Sequence, residues 1–148
     1  MPEKKTLERA REDAREGKAP STQAGEFVRE EMDHIREGKH GARSAKQAIA
    51  IGLSKARRAG VELPAPKKGK VSESTRRQAA RDSAKASSGK PPSAKRSRAT
   101  TKALQREGSQ AASHTALSRQ AHASSRRRGA QDRSRAARKA ARTRARNQ

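Results

Sequence analysis

Residues 44–60 read SAKQAIAIGLSKARRAG, and this run decides the fold class. Ser44 can offer its hydroxyl to the orphan amides of a first helical turn, and Gly60 can take the left-handed conformation that closes a last one. At about 100° per residue, Ala45, Ala48, Ile49, Gly52, Leu53, Ala56 and Ala59 share one face, while Gln47, Ser54 and Arg58 lie opposite. The pattern predicts a helix with one buried stripe. Much of that stripe is Ala or Gly, and a mid-helix Gly costs roughly 1 kcal/mol against Ala. The compensation expected is close approach of a second helix along Ala45, Ala48, Gly52, Ala56 and Ala59. Ile51 falls outside the stripe, as a scattered surface residue or a contact to a partner.

The partner helix is sought just upstream. GKAPST, residues 17–22, is a break, Ser21 or Thr22 can cap a helix reaching about Glu37, and Gly38 can close it. Ala24, Val28, Met32 and Ile35 form its apolar face, flanked by Phe27. Glu26, Glu30, Asp33 and Glu37 place carboxylates in one stripe on another face. That stripe reads as a solvated face or as a site for intramolecular pairing with the basic tail, released when nucleic acid competes. GKHGAR, residues 38–43, is a connection of helical-hairpin length. So small an apolar set leaves the hairpin marginal alone, and dimerisation through residues 21–59, or ordering on a partner, would support it.

Composition bounds the rest. Of 148 residues only 29% are hydrophobic and one, Phe27, is aromatic, so a core spanning the whole chain is out of reach. With 38 Lys and Arg against 15 Asp and Glu, the net charge of +23 calls for an anionic partner. The absence of Cys removes disulfides and thiolate metal sites and fits a reducing compartment. No apolar run suggests a signal sequence or a membrane span, and the Trp, Phe and Leu needed for membrane insertion are lacking.

Charge is distributed unevenly. Residues 1–66 hold 14 basic and 11 acidic side chains, whereas residues 67–148 hold 24 and 4. The expected organisation is a charged N-terminal arm or helix over residues 1–20, the hairpin over 21–63, a Pro/Lys linker over 64–70 and a low-complexity basic tail over 71–148. Residues 3–16, with Leu7, Ala10 and Ala14 alone at helical spacing, are expected to add little to a core. Like-charge repulsion in the tail predicts disorder that turns to helix on a phosphate backbone. The fold class is therefore all-α, a hairpin of two to three helices followed by a mostly disordered tail.

Candidate phosphate contacts follow from this layout. Lys39, His40, Arg43 and Lys46 surround the start of the central helix, where free amides and the positive dipole end favour an anion, and Lys55, Arg57 and Arg58 sit at its end. In the tail the candidates are Lys95, Arg96, Arg98, Arg126, Arg127, Arg128, Arg133, Arg135, Arg138, Lys139, Arg142, Arg144 and Arg146. If about eight phosphates were neutralised on duplex DNA, log K would fall against log salt with a slope near about −7. Nothing reads base edges: Asn occurs once, at Asn147, and stacking aromatics are missing. His34, His40, His114 and His122 look too scattered for a metal site, and no catalytic residue or cofactor is expected.

The run GKHGARSAKQAIAIGLSKARRAGV, preceded by STQAGEFVREEM and HIRE, resembles a small, largely uncharacterised bacterial domain family whose members are often labelled DNA-binding proteins. The likeness covers about residues 1–66 and brings no catalytic role or ligand set with it. The tail is similar in composition to linker-histone C-termini and bacterial histone-like tails, but it favours Arg over Lys toward its end. These readings imply sequence-independent DNA binding in a cytoplasmic, nucleoid-associated, non-enzymatic protein. RNA or ribosome association and a protein-interaction module are the alternatives.

Overall fold

The computed structural model describes all 148 residues and is all-α. In chain order the helices are α1 (Lys4–Arg15), α2 (Pro20–Arg36), α3 (Ala45–Arg58), α4 (Glu73–Ser88), α5 (Ala94–Gln105), α6 (His114–Arg127) and α7 (Ala130–Arg146), with a short 3-10 turn at Gln110–Ala112. The chain divides into two compact units, Met1–Ser113 and His114–Gln148.

In the first unit α2 and α3 form the expected hairpin. Ser44 accepts a hydrogen bond from the Gln47 amide at 3.2 Å, and the Gly60 turn is closed by the Val61 amide donating to the Ala56 carbonyl at 3.0 Å. α2 begins one residue before the expected caps. Pro20 occupies its first turn, where its missing amide is no loss and its φ is already helical, and no side chain caps the helix because the N-cap residue is Ala19. Ala45, Ala48, Gly52 and Ala56 are buried along α3, whereas Ala59 is exposed beyond the contact. Gly52 explains the closeness: a Cβ there would stand 2.7 Å from the Val28 Cα, so the two backbones meet at this point. Phe27 and Ile35 are fully buried between the helices, with Val28 half-buried.

Cover for the hairpin comes from the same chain, including segments that sequence alone left outside the core. α1 packs on α2, and Ala10 joins Ala24, Phe27 and Ala56 in one cluster, with Leu7, Leu53, Val61 and Leu63 packed against it. The N-terminal segment is thus part of the core through Leu7 and Ala10, while Ala14 is exposed. α4 packs along α3, and Ala111 and Ala112 of the 3-10 turn are buried against α2 and α3. The Gly41 and Ala42 amides donate to the carbonyls of Leu104 and Gly108, at 2.9 and 3.1 Å. Only glycine fits at position 41, since a Cβ would collide with the Glu107 carbonyl oxygen.

The expectation of a two-to-three-helix hairpin with a disordered tail is therefore corrected. Residues 73–146 carry four α-helices and the 3-10 turn. Two physical causes account for the difference. Ala, Arg, Lys and Gln are strong helix formers, and their preference summed along each segment works against charge repulsion. The segments also carry start signals, with Ser72 and Ser93 capping α4 and α5 by accepting from the amides of Thr75 and Arg96. In the second unit α6 and α7 are joined around Gly129, and Arg133 of α7 donates to the carbonyls of Arg128 and Ser125, at 2.7 and 3.4 Å. No helix of the protein is long and apolar enough to cross a membrane.

Candidate functional site

The cations around α3 are mostly engaged within the protein. Lys39 lies 3.0 Å from Glu37 and 3.3 Å from Glu3, and these partners hold its ammonium above the ordinary lysine value, Glu37 foremost. Lys55 pairs with Glu31 and stands 3.6 Å from Glu30. Arg57 is buried, and its guanidinium donates to the carbonyls of Leu63 and Pro64 at 3.3 and 3.2 Å; burial pushes its pKa down. Arg58 donates to Asp82 of α4 at 2.8 Å. Arg43 and Lys46 are exposed and carry no side-chain ion pair. The loop amides are also used, those of Gly41 and Ala42 by the carbonyls of Leu104 and Gly108 and that of Arg43 by the Gln47 side chain, to which it donates at 2.7 Å.

The carboxylate stripe on α2 finds its partners nearby rather than in the C-terminal part of the chain. Glu26 faces Arg9, Asp33 faces Arg36 and Glu37 faces Lys39. Glu30 is buried and accepts from the Glu3 backbone amide at 3.1 Å.

The C-terminal cations are arranged differently. Lys95, Arg96 and Arg98 are exposed on the first turns of α5, and Arg126, Arg127 and Arg128 are exposed at the end of α6. α7 buries none of its residues and carries seven basic side chains with one acid, Asp132. At helical spacing, Arg135, Arg138, Lys139, Arg142 and Arg146 fall within one arc of about 100°, with Arg133 and Arg144 on the other side. These five cover about 16 Å of helix axis. Their only internal carboxylate is Asp132, 4.0 Å from Arg135 across an exposed pair that contributes little.

A second constellation lies inside the first unit, where α2 meets the GKHG turn. Glu31 is fully buried, and its Oε2 has no hydrogen-bond partner. His40 Nε2 stands 3.2 Å from that oxygen, while His40 Nδ1 donates to the Gly41 carbonyl at 3.0 Å. His34 donates from Nε2 to Glu3 at 2.9 Å, and this bond, followed by Lys39, holds the Glu3 carboxyl below its usual value. One ligand atom from each of Glu31, His34 and His40 lies within 4.8 Å of the other two. Sequence reasoning treated the four histidines as scattered. Glu31 and His34 are three apart on α2 and so share a face, and Gly38 turns the chain back to return His40 to it. That spacing was the available signal. His114 and His122 lie in the other unit.

Residues 19–68 match a family of unknown function, DUF6496. The matched segment spans α2, the turn and α3, and so contains Glu31, His34 and His40, but none of α4 to α7. Comparison with the curated proteins and with the solved structures gave no match.

Proposed function

We propose that the protein binds nucleic acid, duplex DNA in the first instance, without regard to sequence, and that the exposed cationic face of α7 is the main contact. The observation that supports this reading is the set of Arg135, Arg138, Lys139, Arg142 and Arg146 on one face with a single weak internal counter-charge. A row of cations along one face of a helix suits the regular spacing of phosphates and releases condensed counterions on contact. Arg126, Arg127 and Arg128 extend the basic surface of the same unit, and Lys95, Arg96, Arg98, Arg43 and Lys46 are further exposed cations of the first. Lys55, Arg57 and Arg58 have protein partners and hold the fold. No base-reading group accompanies the α7 face, so affinity should be strongly salt-dependent and nearly blind to sequence.

The test is a binding titration of the full chain against two unrelated mixed-sequence duplexes across a salt series. It is repeated with Arg135, Arg138, Lys139, Arg142 and Arg146 all changed to Gln, which keeps helix propensity while removing charge. The expected result is equal affinity for the two duplexes and a log–log salt slope that becomes shallower by up to about 4.5 in the variant. An unchanged slope, or no binding by the full chain at about 0.1 M salt, would refute the proposal. Stronger binding to structured RNA in competition would keep the α7 contact but make RNA the partner.

A further inference from the structure

We infer that Glu31, His34 and His40 form a binding site for a divalent transition-metal ion of the Zn²⁺ type, which clasps α2 to the turn that precedes α3. The inference is independent of the nucleic-acid reading.

Chemistry and geometry both carry it. Nδ1 of His40 faces a backbone carbonyl, which can only accept, so Nδ1 bears a hydrogen and Nε2 is the ring atom that faces Glu31, free to offer its lone pair to a metal ion. Oε2 of Glu31 is fully buried and lies 3.2 Å away, yet the two atoms are not aligned as a hydrogen bond. Two electron-pair donors held together in a buried place call for a cation between them. Their separation is close to the edge of a tetrahedron with bonds of about 2.0 Å, which is about 3.3 Å. His34 brings a third donor within 4.8 Å, and one carboxylate with two imidazoles is a set that suits such ions.

The surroundings support the same assignment. Glu30 and Glu31 are both buried and share a single ammonium, that of Lys55, so there is room for a second cation beside them. Lys55 sits on Oε1 of Glu31 and leaves Oε2 to the ion. The outer contacts are those expected around ligating histidines, with the Gly41 carbonyl on His40 and the Glu3 carboxylate on His34. Three protein ligands leave one coordination position open.

The untagged full chain would be titrated with Zn²⁺ by calorimetry and with Co²⁺ by visible absorption, which reports coordination geometry. One ion per chain is expected, and the melting temperature should rise with Zn²⁺. His40→Ala and His34→Ala should each weaken binding by at least about 100-fold, and Glu3→Ala by about 10-fold. The double change of His114 and His122 to Ala should leave binding intact. Glu31→Gln also disturbs Lys55 and could unfold the chain, so the histidine variants, checked for helix content, carry the decision. Absence of tight Zn²⁺ binding would overturn the site. Binding that survives His34→Ala and His40→Ala, or that is lost with His114 and His122, would overturn it equally. In that case Glu31 and His40 form an ion pair alone.

Discussion

At Gly52 the two consequences of adding one methyl group oppose each other. In an exposed helix, Gly→Ala gains roughly 1 kcal/mol from backbone entropy. Here the new Cβ would stand 2.7 Å from the Cα of Val28, and a backbone atom cannot swing aside as a side-chain tip can. Overpacking at such a point costs about 1–3 kcal/mol, so Gly52→Ala should lower stability in a urea titration followed by circular dichroism. A stability gain would mean that α2 and α3 do not approach here. The close approach was legible in the sequence because small residues recur on one face of α3. The burial of Glu31 was not. Periodicity reads every glutamate as an outward residue, and the groups that make its burial tolerable, His40 and Lys55, lie 9 and 24 positions further on. Arg57 was misleading for a similar reason. Its position near a helix end suggested dipole complementation or a phosphate, whereas its guanidinium is spent on the carbonyls of Leu63 and Pro64.

At the scale of elements, α4 shows why a stretch that reads as low complexity belongs to the folded unit. Asp82 is one of four acids in residues 67–148, and it is 1% exposed. It accepts from Ser54 at 2.7 Å and Arg58 at 2.8 Å, which fix α4 on α3, and from Gln78 of its own helix at 3.0 Å. Ala79, one turn earlier, is buried on the same face. An isolated acid in a basic run was therefore the clue to docking, but sequence alone does not show which arginine it meets. Asp82→Ala should cost about 2–3 kcal/mol. The figure lies at the lower end for a broken buried pair because Arg58 is 40% exposed and can return to water. Hydrogen exchange should show the amides of α4 losing protection before those of α2 and α3. Equal protection throughout would place the docking energy elsewhere. The hairpin signals at Ser44 and Gly60 were readable because caps are local, while the segments that cover it had to be found by contacts across the chain.

For the molecule as a whole, charge sets two opposite responses to salt. The net charge is +23, and residues 114–148 contribute eleven basic side chains against one acid. Repulsion among these cations destabilises the compact state, and the exposed ion pairs that oppose it are individually weak. Raising ionic strength from about 0.01 to 1 M shortens the screening length from about 30 to 3 Å. Screening relieves the surplus repulsion more than it weakens the pairs, because the unpaired cations far outnumber the acids. The melting temperature of the full chain is therefore expected to rise over this range, with the larger gain in helix content on α6 and α7, where no residue is buried to anchor the helix. Nucleic-acid affinity should fall over the same range, since the counterions displaced from the nucleic acid gain less entropy when released into a salt-rich solution. Thermal melts by circular dichroism, run beside the binding series, check both signs. A melting temperature that falls with salt would show that ion pairs such as Arg58 with Asp82 and Lys55 with Glu31 outweigh the repulsion. It would also mean that the excess of positive charge is already held at little cost to the fold.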